Sequence, residues 1–124
     1  MQRSYKEFCA ALWRNLTSSQ GYELQEENPE TFTNIRKHWL PFLKLQLQRL
    51  VLGGIRYGKI KDKNKLSWDR ISSIETRLQR YKETGNDEIL VDIGNMAFLE
   101  CIEGTHPKKH FNSVDDGEHT KEKI

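Results

Sequence analysis

The sequence has few cysteines, no long apolar run and almost no excess of charge, and each shortage excludes a class of protein. Two cysteines, Cys9 and Cys101, are too few for a disulfide-stabilised scaffold and fit a reducing, cytoplasmic location. No segment approaches the roughly 18 apolar residues of a membrane helix, so we expect no membrane partner. Residues 1–16 carry charges and no small-residue cleavage site, so we expect no signal peptide. A formal net charge of +2 argues against a DNA-coating protein.

The 124 residues suffice for one domain, and their apolar periodicity predicts an all-α fold. Capping and breaking residues divide the chain into four helical segments. These segments run from about Ser4 to Leu16, from Asn28-Pro29 to Gly58, from the Ser67 and Asp69 capping signal to Thr84-Gly85, and from Asn86 to near Gly104. We expect a bundle of four to five helices over residues 1–105, with a C-terminal helical hairpin. Residues 106–124 are predicted to be a polar, flexible tail.

The second segment is the most apolar part of the chain. Pro41 lies inside it and is expected to kink or divide the helix near Trp39, because proline removes one backbone donor. Its apolar side chains occupy more than one helical face, which is more apolar surface than a small monomer easily covers. The sequence therefore predicts a homo-oligomer.

A polar face on the fourth segment carries the most informative pattern. Glu88, Asp92 and Asn95 are spaced i, i+4 and i+7, so they share one side of the helix. One interpretation is a magnesium or nucleotide site, to which Glu75 of the preceding helix adds a third acid. The alternative is structural: Asp92 forms a salt bridge to Arg77 or Arg80, and Asn95 caps a neighbouring backbone group.

A basic connector, residues 56–65, follows the second segment and contains five lysines and arginines. Together with Tyr57 and Trp68 it could bind phosphates and stack a base, although a solvated lysine loop is the commoner outcome of such a run. Arg56 and Tyr57 are the better candidates, because they lie closest to the apolar helix. Arg suits bidentate phosphate recognition, whereas Lys59 would supply a point charge.

Read in chain order, several of these segments resemble a known family. The stretch Gly54-Ile55-Arg56-Tyr57-Gly58-Lys59, the helix Ile71–Tyr81, the turn Thr84-Gly85-Asn86 and the helix Leu90–Glu100 cover roughly half the chain. They resemble the MazG-type all-α nucleoside-triphosphate pyrophosphohydrolases and small phage and prophage proteins related to them. The resemblance implies that Asp92 stands in place of a magnesium-binding acid with Asn95 as its partner, and that Arg56 and Lys59 face phosphates.

The sequence departs from that family in one respect. Active members carry a Glu-x-x-Glu pair on an earlier helix, whereas the corresponding stretch here, residues 39–49, contains no acid. Metal-assisted hydrolysis needs enough oxygen ligands to hold the ion and position the water. The acids that remain as candidate metal ligands are Glu75, Glu88 and Asp92. We therefore expect a protein that still binds a nucleotide but has lost the ability to hydrolyse it.

Three functions follow from these patterns and from the resemblance, and the phage origin in the first of them is implied by the resemblance only. The favoured hypothesis is a phage-encoded protein of the host cytoplasm that sequesters a nucleotide, such as a second messenger of host defence, without turnover. The second is a magnesium-dependent nucleoside-triphosphate pyrophosphohydrolase, and the third is a helical interaction inhibitor with no small ligand. The predicted ligand-binding residues are Arg56, Tyr57, Lys59, Trp68, Arg77, Asp92 and Asn95.

Overall fold

A computed structural model describes residues 5–17, 27–64 and 66–112, and within these ranges its regular elements are helices. They are α1 (Tyr5–Thr17), α2 (Pro29–Tyr57), α3 (Arg70–Thr84) and α4 (Asp87–Glu103). The predicted all-α class is confirmed. Residues 18–26, which belong to the stretch between the first two predicted helical segments, lie outside the described residues, as do Lys65 and most of the predicted tail, 113–124. None of the described helices has both the length and the apolar content needed to cross a bilayer.

The helix ends lie where capping chemistry predicts them. Asp69 caps α3 by accepting hydrogen bonds from the backbone N–H of Ser72 at 3.1 Å and from its hydroxyl at 2.8 Å. Gly85 ends α3 at φ 66°, a left-handed conformation that glycine adopts without strain. Asn86 then caps α4, so only two residues separate the helices. The helices α3 and α4 pack against each other as the predicted helical hairpin.

The long helix α2 differs in part from its prediction. Pro41 lies inside a continuous helix of 29 residues, so of the two predicted outcomes the division near Trp39 is wrong, and the kink stays a prediction. Proline removes one backbone hydrogen bond, and the leucine, lysine and glutamine residues that follow it favour helix strongly enough to continue. The helix begins at Pro29 and ends before Gly58, which has φ 104°, and both of these boundaries were predicted.

The chain divides into two compact units. The first consists of Met1–Arg36 with His110–Ile124, and among its described residues Ala11 and Phe32 are buried. The second, Lys37–Lys109, contains most of α2 and the α3–α4 hairpin, whose buried apolar residues are Ile89 and Val91. The single domain predicted over residues 1–105 stays a prediction.

The start of the predicted tail is a turn within the second unit. The backbone N–H of Lys109 donates to the carbonyl of His106 at 3.0 Å, and that of Lys108 donates to His106 Nδ1 at 2.9 Å. The ammonium of Lys109 donates to the carbonyl of Glu100 at 2.9 Å. These bonds attach the turn to the last turn of α4, where a cation is favoured by the helix dipole.

Candidate ligand-binding cavity

A cavity of about 400 Å³ lies in the second unit, where α2, α3, α4 and the connector meet. Its volume is within the usual range for small-molecule sites. Each helix contributes residues of one face, at spacings of three, four and seven. The polar and glycine positions of its wall are Arg49, Gly53, Gly54 and Arg56 of α2, Arg70, Ser73 and Arg77 of α3, and Asp92 and Asn95 of α4. Its apolar positions include Leu50, Met96 and Leu99, and Tyr57 and Trp68 complete the aromatic part.

Arginine is the dominant charged residue of this wall. Four arginines line the described cavity against one acidic residue, Asp92. Two of these arginines, Arg49 and Arg70, are held by acids of α4, whereas Arg56 and Arg77 have no carboxylate partner in the part of the chain that the structure describes. The cavity therefore offers two guanidinium groups whose charge is not already neutralised.

Arg49 joins α2 to the polar face of α4. Its Nε and Nη2 donate to the two carboxylate oxygens of Asp92, the latter at 3.2 Å, and its Nη1 lies 3.1 Å from Glu88 Oε1. The hydrogen bond to Asp92 raises the pKa of the Arg49 guanidinium, and the nearby charges of Asp92 and Glu88 add to this effect, although partial burial opposes it. The partner of Asp92 is thus Arg49, not Arg77 or Arg80 as the structural alternative expected.

This arrangement bears on the predicted metal site. Both carboxylate oxygens of Asp92 and one of Glu88 already face a guanidinium, so a magnesium ion would have to displace Arg49 to bind there. Glu75 is exposed and lies outside the cavity wall. In the described ranges no group of three or more acids, histidines and cysteines is placed to hold a metal ion.

Arg70 of α3 and the connector both bind Glu103, near the end of α4. Its guanidinium is buried and donates to Glu103 Oε1 at 2.5 Å, and it lies 3.8 Å from Glu100. The other oxygen of Glu103 accepts from the backbone N–H of Lys61 at 2.7 Å. Because the same carboxylate binds α3 and the connector, it holds Trp68 and its neighbours against the helical hairpin.

Tyr57 and Trp68 form an aromatic pair at the cavity. Their ring centroids are 6.0 Å apart with an interplanar angle of 72°, an edge-to-face arrangement that aromatic quadrupoles favour. Tyr57 is the last residue of α2 and Trp68 precedes α3, so the connector between them brings the two rings together. Both rings keep exposed surface that a planar ligand could cover.

Asn95 is the most deeply buried polar residue of the described cavity wall, at 6% exposed. Its Nδ2 donates to the backbone carbonyl of Gln46 at 3.0 Å, which agrees with the predicted contact to a backbone group. Its Oδ1 is buried and accepts no hydrogen bond from the described residues. A buried acceptor without a donor is costly, so native proteins seldom leave one unsatisfied.

Gly53 and Gly54 leave part of the wall open. A Cβ placed on either residue would have no described atom within 4 Å, so nothing in the described packing requires glycine at these positions. Glycine within a helix costs roughly 0.5–1 kcal/mol relative to alanine. Glycines of this kind allow a ligand to approach the helix backbone closely.

The structure brings most of the predicted ligand-binding residues to one cavity. Its wall contains Arg56, Tyr57, Trp68, Arg77, Asp92 and Asn95. Lys59 is exposed and lies outside the wall, as does Glu88. Sequence reasoning missed Arg49 and Arg70. Their spacing could have identified them, because Arg49 is seven residues from Arg56 and Arg70 is seven from Arg77.

No protein-family model, no curated protein and no solved structure matches this chain. The chemistry of the cavity therefore has to be interpreted from its own geometry.

Proposed function

We propose that this chain binds a nucleotide in the cavity of its second unit and retains it without turnover. The observation that supports this proposal is the combination, in one cavity, of two arginines without carboxylate partners among the described residues and an aromatic pair. The phosphate and the base of a nucleotide need these two kinds of contact.

The phosphates are assigned to Arg56 and Arg77. Both arginines line the cavity without a carboxylate partner in the described ranges, and a planar guanidinium can donate two parallel hydrogen bonds to phosphate oxygens. Arg49 and Arg70 contribute positive charge from fixed positions, because the acids of α4 hold their side chains. A dianionic ligand would therefore bind in a cavity where two of the four arginines are already held in place.

The base is assigned to the aromatic and apolar part of the wall. Tyr57 and Trp68 offer ring surfaces, and stacking of a base on an aromatic side chain contributes about 1–3 kcal/mol. Leu50, Met96 and Leu99 extend this surface. An inorganic phosphate ion would use the arginines alone, so the aromatic pair favours a ligand that also has a planar apolar group.

Retention without hydrolysis is proposed because the acids near the cavity are already paired. Hydrolysis between phosphates needs acids that hold a metal ion and activate water. Asp92 and Glu88 instead bind Arg49. A magnesium requirement, with Glu75, Glu88 and Asp92 as ligands, stays a prediction from the sequence.

A nucleotide panel tests the proposal. Nucleoside mono- and triphosphates and cyclic dinucleotides are titrated into the protein by calorimetry, with EDTA in one arm and Mg²⁺ in the other, and the mixtures are then chromatographed. We expect saturable binding with EDTA and unchanged nucleotide after incubation with Mg²⁺. Released pyrophosphate would identify a hydrolase instead, and no binding or thermal stabilisation by any nucleotide would favour the interaction protein.

Matched arginine variants locate the site. Arg56→Ala and Arg77→Ala are each expected to weaken nucleotide binding by about tenfold or more, since hydrogen bonds to charged groups contribute about 1.5–3 kcal/mol. Arg80→Ala removes the same charge from α3 at an exposed position outside the described wall, so its affinity should equal that of the wild type. Equal losses in all three variants would indicate a general charge effect and not this cavity.

We further propose that the chain forms a homo-oligomer through α2. Leu40, Leu47, Val51 and Ile55 share one face of the helix and are exposed, Ile55 at 77%. A second copy of the chain would cover this apolar stripe. Light scattering should give a multiple of 14.6 kDa, and Val51→Lys should reduce the mass to one chain. A wild-type mass of one chain would refute this part of the proposal.

Phage origin and the sequestration of a second messenger of host defence depend on the resemblance to MazG-type proteins. Both stay predictions. Mass spectrometry of whatever small molecule co-purifies with the protein would test the second directly, because a retained messenger would be recovered unchanged after denaturation.

A further inference from the structure

Asn95 has one amide atom paired and one unpaired. Nδ2 donates to the carbonyl of Gln46 at 3.0 Å, and this contact fixes the orientation of the amide, because the opposite orientation would place two oxygens together. The unpaired atom is therefore Oδ1, which accepts hydrogen bonds and cannot donate them. The ligand group that completes the site must be a donor.

The surroundings of Asn95 identify which part of a nucleotide supplies that donor. The neighbouring wall residues on α4 are Met96 and Leu99, both apolar, and Asp92, whose carboxylate is paired with Arg49, whereas the arginines without described carboxylate partners lie on α2 and α3. Phosphates are acceptors, so they would leave Oδ1 unsatisfied. The base is the part of a nucleotide that suits an apolar wall and also carries N–H groups on its edge.

The burial of Oδ1 indicates how selective the contact would be. Less than 1 Å² of this atom is exposed, so bulk water does not satisfy it. A donor reaches this atom only after a neighbouring side chain of the wall moves. Met96, next in sequence on the same wall, has an unbranched, flexible thioether side chain that is suited to such a movement. An exocyclic amino group projects furthest from the ring of a base and would reach a covered acceptor first.

We propose that Oδ1 of Asn95 accepts a hydrogen bond from the exocyclic amino group of a base, which makes the cavity selective for nucleotides whose base carries such a group. This inference rests on the proposed nucleotide-binding function and adds the class of ligand to it. A site built to accept a hydrogen bond discriminates strongly against an analogue that lacks the donor, because the acceptor is then left buried and unpaired.

Three matched ligand pairs test the inference in the wild-type protein. Adenosine is compared with purine riboside, guanosine with inosine, and cytidine with pyrimidin-2-one riboside, each as the 5′-monophosphate and the 5′-triphosphate, by calorimetry with EDTA present. Each pair differs by one amino group. We expect the aminated member of at least one pair to bind about tenfold or more tightly. Differences of less than about tenfold in all three pairs would overturn the inference and leave the proposed function intact, whereas no binding by any of these ligands would count against both.

Variants at Asn95 connect the preference to this atom. Asn95→Leu removes the acceptor and should abolish the preference for the aminated ligand, while Asn95→Asp keeps an acceptor and should retain it. A preference that persists in Asn95→Leu would assign the discrimination to another residue and overturn the inference. If Asn95→Leu fails to fold, the wild-type ligand pairs still decide.

Discussion

Asn95 of α4 donates a hydrogen bond of 3.0 Å from Nδ2 to the backbone carbonyl of Gln46 in α2. The two residues are 49 positions apart in the sequence, and the bond fixes the cavity side of α4 against α2. Next to it, Gly94 allows the Gln46 side chain to approach, since a Cβ on Gly94 would lie 2.9 Å from Gln46 Nε2. A small residue and a side-chain donor thus act together where the two helices meet.

Asn95→Asp should destabilise the protein by roughly 1–3 kcal/mol at neutral pH. The carboxylate has nearly the same shape as the amide, but it cannot donate and would place a negative oxygen against the Gln46 carbonyl. The measurement is the free energy of unfolding from urea titration. Gln46→Ala is the control, because it keeps the backbone carbonyl and should cost much less. Equal losses in the two variants would show that the side chain of Gln46, and not its carbonyl, matters to α4.

Arg49→Met should also destabilise the protein, by about 1–2 kcal/mol at low salt. The substitution leaves Asp92 and Glu88 adjacent without their shared cation, and the Asp92 side chain is only 22% exposed. Adding Asp92→Asn to Arg49→Met should recover part of the loss, since it removes one of the two unpaired charges. The free energies of unfolding of the four proteins give the coupling between Arg49 and Asp92.

Glu88→Gln provides the comparison for that experiment. The Glu88 side chain is 58% exposed, so water screens its interaction with Arg49, and its removal should change stability by no more than about 0.5 kcal/mol. A loss for Glu88→Gln as large as that for Asp92→Asn would show that Arg49 depends equally on both acids. High salt should reduce all of these differences.

The helices could be predicted from the sequence because their ends depend on local chemistry. Asp69 and Asn86 cap the helices that follow them, and Gly85 ends α3, each through contacts within a few residues. Pro41 was the exception. Its effect depends on the stability of the whole helix around it, and α2 continues through it.

The candidate site could be predicted only in part. Asp92 and Asn95 share one face of α4, so their proximity could be predicted. Tyr57 lies at the start of the connector and Trp68 shortly after its end, so both could be predicted to lie at the same site. The partner of Asp92 could not be predicted, because Arg49 is 43 residues away and its approach depends on how α2 packs on α4. Local periodicity identifies a face of a helix but not the helix that it meets.

The melting temperature should fall at acid pH, partly because Asp69 is then protonated and caps α3 less well. The hydrogen bonds from the backbone N–H and hydroxyl of Ser72 hold the pKa of Asp69 below its ordinary value. A lowered pKa in the folded state means that this stabilisation is complete above the pKa of the unfolded chain and is lost as the pH falls through the folded-state pKa. The difference in melting temperature between wild type and Asp69→Ala should therefore shrink from pH 6 towards pH 2.

Asp69→Asn is the control for that titration. Asparagine caps a helix about as well as aspartate but does not titrate. The difference between Asp69→Asn and Asp69→Ala should accordingly stay nearly constant over the same pH range. If it shrinks as much as the wild-type difference does, the acid loss arises elsewhere in the protein.

Gly53→Ala and Gly54→Ala should each make the protein more stable and bind nucleotide less tightly. Alanine should stabilise α2 by about 0.5–1 kcal/mol, because the new Cβ meets no described atom within 4 Å and the unfolded chain loses freedom. The same methyl group projects from the cavity wall, where the ligand is proposed to lie against the backbone. Urea titration measures the first effect and calorimetry with the bound nucleotide measures the second.

Gly94→Ala separates the two effects. This glycine also lies within a helix, but outside the described cavity wall, and its new Cβ would displace only the flexible end of the Gln46 side chain. It should leave nucleotide affinity unchanged. Wild-type affinity in Gly53→Ala and Gly54→Ala, together with the expected gain in stability, would mean that the ligand does not lie against these glycines. Lower affinity in those two variants alone would place it there, since a general stiffening of the helices would act in all three.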